Sequence, residues 1–281
     1  MSGERSITFG TCSWNYDSWV GLVYPHKEGT AAEYLKRYSR KYRTAEIDSW
    51  FYRLPSSDVV LSYLEAVDAD FRFTCKVTNS ITLTHLRGKS GRVNPDFLSV
   101  PLFEEYLRAV EPMLSRLDGI MFEFEYLNRW KMDGVESFAG RLDDFFTRLP
   151  AGLPLAVEVR NKNYLTGPYF EMLSRHSVQH VFSEKEYMPH VYDVFDRFEP
   201  FLGDRAIVRL LGGSRKEIEE ITGGKWDEIV LPKPDLDDVI DMLRKMRRRG
   251  MTVVLNVNNH YEGSAPVTID RIIAGLDGGD G

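Results

Sequence analysis

Short runs rich in β-branched and aromatic residues alternate along the chain with longer stretches whose apolar positions recur every three to four residues. The runs are Ile7–Cys12, Ala45–Ser49, Phe71–Lys76, Gly119–Phe124, Leu155–Val159, Gln179–Ser183, Ala206–Leu210 and Thr252–Asn256. Each reads as a strand followed by a helical pattern. The clearest helix carries Leu236, Val239, Ile240, Leu243 and Met246 on one stripe, with Asp235 placed to cap its start and Gly250 just past its end. Tyr34, Leu35, Tyr38 and Tyr42 form a similar stripe earlier. Eight strand–helix units in succession predict parallel pairing through crossover helices, an α/β fold closed into a single (β/α)8 barrel of the TIM type. No linker rich in Pro, Gly or Ser divides the chain, so one domain is expected over residues 1–276, with a frayed Gly/Asp tail at 277–281.

Inside the strands the alternation has period two. Leu155, Val157 and Val159 oppose Ala156, Glu158 and Arg160; Phe71, Phe73 and Cys75 oppose Arg72, Thr74 and Lys76. Ile47 opposes Glu46, Asp48 and Trp50, and Val208 and Leu210 oppose Arg209. A charge under a packed helix is heavily penalised, so the apolar parity faces the helices and the polar one the barrel axis. Glu46, Asp48, Glu123 and Glu158 are thus expected to meet Lys76, Arg160 and Arg209 around one axis. Barrels commonly fill that space with Val, Ile and Leu. A structural ion-pair lattice is the competing explanation, but such lattices are often no more stable than apolar packing, which favours a ligand site. Two long strand-to-helix connections, from Val77 to about Pro101 and from Leu211 to about Pro232, lie at the same C-terminal face. Aromatic residues just past strand ends, including Trp14, Trp50, Tyr126, Trp130 and Tyr187, are candidates to wall a pocket or stack on a ring.

Composition sharpens this only a little. The 281 residues are 43% hydrophobic and 28% charged, with 36 basic against 42 acidic residues and a net charge of −6. That is globular, and it disfavours non-specific binding to nucleic acid or membranes. No apolar stretch approaches the roughly 20 residues that span a bilayer, and no signal peptide is read at the start. Cys12 and Cys75 form no CxxC and read as buried thiols in a reducing, cytoplasmic protein.

The stretch Gly10-Thr-Cys-Ser-Trp-Asn-Tyr16 with Trp19, Gly21 and Tyr24-Pro25, and then Glu46-Ile-Asp-Ser-Trp-Phe-Tyr-Arg-Leu-Pro55, resemble the YecE-like family (domain of unknown function 72). Phe73-Thr-Cys-Lys76, Phe122-Glu-Phe124, Ala156-Val-Glu-Val-Arg160, Val208-Arg-Leu210 and Asn258-Asn259 follow in the family's order. The resemblance implies a TIM barrel without an established activity. Its architectural likeness to endonuclease IV and xylose isomerase points by analogy to sugar or nucleic-acid chemistry. The chain departs from the family pattern at Asp48 and Trp50, at Glu123-Phe-Glu-Tyr126, and at Leu211-Gly212, where the family has His-Gly.

These residues suggest an enzyme, or a degenerate one, acting on a polar, phosphorylated or nucleoside-like ligand. Glu158 and Glu123 are candidates for acid/base work and Lys76 for a catalytic amine. Arg160 and Arg209 would hold an anion; Asn256, Asn258 and Asn259 would read hydroxyls or amides; Glu46, Asp48, Trp14 and Trp50 would complete the pocket. A non-catalytic binder of single-stranded nucleic acid is the alternative. No cofactor is expected. His85, His180 and His260 lie near strand ends without HxxxH or HxH spacing, and Lys76, Arg160 and Arg209 compete with a metal for Asp48, Glu123 and Glu158.

Overall fold

Parallel strands need a long crossover after each one, and the chain supplies a helix every time. In the computed structural model, which describes residues 7–86, 88 and 91–278, the strands are β1 (Ile7–Thr11), β2 (Thr44–Ile47), β3 (Arg72–Lys76), β4 (Leu117–Glu123), β5 (Leu155–Glu158), β6 (Gln179–Lys185), β7 (Arg205–Gly212) and β8 (Thr252–Val257). The α-helices between and after them are α1 (Ala31–Tyr38), α2 (Ser57–Glu65), α3 (Asn79–Thr82), α4 (Val100–Val110), α5 (Gly134–Thr147), α6 (Gly167–Arg175), α7 (Val191–Phe198), α8 (Arg215–Thr222), α9 (Leu236–Arg248) and α10 (Ala265–Asp277). All ladders are parallel, in the order β1-β8-β7-β6-β5-β4-β3-β2. A parallel bridge between Cys12 and Glu46, with Ser13 N donating to Glu46 O at 3.2 Å, brings β1 against β2. The expected (β/α)8 barrel is therefore present.

Two apolar layers hold it. The larger lies between strands and helices, where Phe103, Phe122, Phe145 and Phe146 stack edge-on or tilted in a row. The smaller is a plug on the axis made of Met121, Ala156, Val181, Ile207 and Val254. Two positions further along the same five strands stand Glu123, Glu158, Ser183, Arg209 and Asn256. Two residues of strand rise about 6.6 Å, so the interior has an apolar floor with one polar storey above it.

Local expectations are corrected in four places. Ser49 belongs to a 3-10 turn, Ser49–Phe51, and not to β2. Arg72 shares the inward parity but sits at the opposite mouth, where Nη1 donates to Ser115 O at 2.9 Å. Asp235 precedes α9 without a side-chain capping bond, because its carboxylate turns to His190. Asp277, expected in the tail, is the last residue of α10, and 279–281 lie outside the described residues. Among the described residues no helix is long and apolar enough to cross a membrane.

Candidate functional site

The polar storey is organised around Arg209, which is 2% exposed. Its Nε and Nη2 donate to the two oxygens of Glu46 at 2.7 and 2.6 Å, a fork-on-fork pair. Its Nη1 donates to Glu158 Oε2 and, at 3.2 Å, to Glu123 Oε2. Glu158 Oε1 accepts from Ser183 Oγ at 2.8 Å and pairs with Arg160 Nη2 at 2.7 Å. Arg160 Nη2 also lies 3.2 Å from Glu123 Oε1, and Lys76 Nζ lies 2.8 Å from Glu123 Oε2. Lys76 pairs in turn with Asp48, under the ring of Phe51. One continuous lattice thus climbs from Glu46, fully buried, to Asp48, whose side chain is 42% exposed.

The register explains why these residues meet. Glu123 pairs with Glu158 across β4 and β5, Ser183 with Arg209 across β6 and β7, and Arg209 with Asn256 across β7 and β8. The four carboxylates exceed the three cations by one formal charge. Burial alone would raise the Glu123 carboxyl, but Lys76, Arg160 and Arg209 overcome it and hold it far below the usual carboxylate range. Burial and Arg209 oppose the charge on Lys76, yet Glu123, Asp48 and Glu46 outweigh them and raise its ammonium. Glu123 is therefore a permanent anion, and Lys76 a permanent cation unsuited to Schiff-base formation.

Above the lattice opens a cleft of about 740 Å³, lined by Glu123, Tyr126, Arg160, Lys162, Asn163, Lys185, Glu186, Tyr187 and Met188. Arg160 Nη1 is buried and makes no hydrogen bond among the described residues. Lys162 and Lys185 line the same cleft, and neither forms a salt bridge among the described residues. Partial burial, aided by Arg160, pushes the Lys185 ammonium below its ordinary value. Tyr126 and Tyr187 are 63% and 84% exposed on the rim.

The seven charges anticipated on one axis come together. Asn256 stands beside them in the polar storey, and the remaining candidates do not join it. Trp14 and Trp50 are buried in the core; the Trp14 indole donates to Ala31 O at 2.8 Å and meets Tyr63 edge-on. Asn256 is fully buried and donates to Thr74 Oγ1 at 2.9 Å. Asn258 accepts from His260 N, and Asn259 Oδ1 accepts from Ala265 N at the start of α10. Lys162, Ser183 and Lys185 were not anticipated. Ser183 follows Val181 on the inward parity, a signal available in the sequence. Lys185 lies beyond the expected end of β6, where a register shift sets it opposite Gly212. Gly212 has φ +84°, and a Cβ there would lie 2.1 Å from His260 O, so only glycine lets β7 run that far.

Two solved structures resemble this barrel along nearly its whole length. A DUF72 family protein of Thermotoga maritima MSB8 is 22% identical with a TM-score of 0.69, over 96% of this chain and 99% of that one. A DUF72 family protein of Enterococcus faecalis V583 is 17% identical with a TM-score of 0.68, over 97% of this chain and 96% of that one. At such identities the likeness concerns the fold. No curated protein matches the sequence. The model of the family described as "Protein of unknown function DUF72" matches residues 8–279, and with the barrel and the ordered motifs this shows that the chain belongs to the DUF72 family.

Proposed function

We propose that the protein binds a small anionic ligand, phosphorylated or nucleoside-like, in the cleft above Glu123 and Arg160, and that any chemistry on it runs through the same wall. The observation that carries this reading is the Arg160 Nη1, buried without a hydrogen-bond partner among the described residues, in the wall of a cleft that Lys162 and Lys185 also line. A phosphate or carboxylate would satisfy the guanidinium and take up charge from both lysines. Glu158 is the candidate base, held by Arg160, Arg209 and Ser183. Glu123, Lys76 and Arg209 set the field around it, and Glu46 and Asp48 complete the lattice.

The test is a thermal-shift and calorimetric screen of phosphosugars and nucleotides against wild type and a Lys162→Ala/Lys185→Ala double variant. A phosphorylated compound should raise the wild-type Tm, with affinity at least about tenfold weaker in the variant. If no anionic compound moves the Tm, the reading fails. Four exposed rim aromatics, Tyr52, Tyr126, Trp130 and Tyr187, favour single-stranded nucleic acid as the second reading. A gel shift on short oligonucleotides that weakens steeply with salt would support it.

A further inference from the structure

Residues 185–188 wall both the cleft over Arg160 and a second cavity of about 430 Å³. That cavity is lined by Glu184, His190 and Asp235, none of which belongs to the charged lattice. His190 Nδ1 lies 2.9 Å from Glu184 Oε1 and 3.2 Å from Asp235 Oδ2. One donor atom from each of the three falls within 4.8 Å of the others.

Each side chain is held in place. Glu184 is the penultimate residue of β6 and spends Oε2 on Val191 N at 2.8 Å, leaving Oε1 toward His190. The His190 ring stacks parallel on Tyr192 with centroids 5.0 Å apart. Asp235 forgoes capping α9. A separate observation points to a missing partner: Tyr261, 1% exposed, lines the same cavity with a buried hydroxyl that makes no hydrogen bond among the described residues.

We propose that Glu184, His190 and Asp235 form a binding site for a divalent transition-metal cation such as Zn²⁺ or Mn²⁺. Imidazole and carboxylate ligands suit these ions, and bonds of about 2.0–2.2 Å at a tetrahedral angle separate ligand atoms by roughly 3.3–3.6 Å. The observed 2.9 and 3.2 Å need to open by only a few tenths of an ångström. Three protein ligands leave a position for water or an exogenous anion. A metal-bound water would give the Tyr261 hydroxyl a partner, and Lys185 and Lys233 on the cavity wall suit an anion on the metal. The rival is a protonated His190 shared between two carboxylates and nothing more.

Equilibrium dialysis of chelator-treated full-length protein against Zn²⁺ and, separately, Mn²⁺ decides between them, with no anionic ligand present, so the outcome is independent of the screen above. Wild type should hold one metal ion per chain. His190→Ala and Asp235→Asn should each weaken binding at least about tenfold, since even outer groups of metal sites cost that much. Asp235→Asn conserves shape and carries the test if His190→Ala melts early. Absence of stoichiometric metal in wild type, or equal binding by folded variants, overturns the proposal.

Discussion

One guanidinium stands among three carboxylates. Arg209 sits where removing it leaves Glu46, fully buried, with no other cation hydrogen-bonded to it among the described residues, while Glu158 keeps Arg160 and Ser183. An uncompensated buried charge is costly, and breaking such a pair from one side typically costs about 3–5 kcal/mol. Arg209→Met should destabilise the protein by about that amount, read from urea midpoints. Arg209→Lys should recover only part of the loss, because an ammonium cannot reproduce the two-pronged contact with Glu46. A double change, Arg209→Met with Glu46→Met, should cost less than the sum of the single ones, since it leaves no stranded carboxylate. Additive effects would mean that the two side chains are neighbours without being partners.

At the scale of elements, closure depends on how near β1 comes to β2. A Cβ on Gly10 would lie 2.2 Å from Thr44 O, a backbone atom that cannot step aside without opening the barrel. Gly10→Ala should therefore cost at least about 1–3 kcal/mol. Gly213→Ala, with nothing within 4 Å of its Cβ position, should melt within about 0.5 kcal/mol of wild type. Equal melting of the two variants would show that the β1–β2 seam is looser than its bridge implies. The seam also shows what alternation reveals and what it hides. Glu46, Lys76, Glu123, Glu158, Arg160 and Arg209 were legible as a cluster because strand parity alone decides which way they face. Lys185 was not, because its place depends on a register shift between two strands that no local pattern records. His190 and Asp235 follow different strands and meet through loops without periodicity. Trp14 and Trp50 follow strand ends, which suggested the mouth, but large apolar rings gain more by burial in the core.

The whole molecule offers a further check through proton linkage. His180 lies on β6 with its ring among Tyr169, Phe170 and Phe182, and Nδ1 is 3.2 Å from the Tyr169 hydroxyl. Burial pushes this imidazole down to about 3, whereas in the unfolded chain it titrates near 6.5, as an ordinary histidine does at about that value. The folded-state pKa is the depressed one, so the stability linked to His180 is fully present above pH 6.5 and is lost as pH falls toward 3. One proton taken up on unfolding corresponds to about 1.4 kcal/mol per pH unit, or about 2 kcal/mol by pH 5. His180→Phe removes that uptake while keeping a ring of similar size. Loss of the Tyr169 contact will lower the variant's stability at pH 7.5 by a constant amount. The gap between wild type and variant should then narrow on acidification from pH 7 to pH 5, by about 2 kcal/mol. The remaining ionisable groups are common to both proteins and cancel in the difference. Urea midpoints at pH 7.5, 6 and 5 supply the comparison; parallel profiles would mean that the imidazole is reached by water in the folded barrel and takes its proton there.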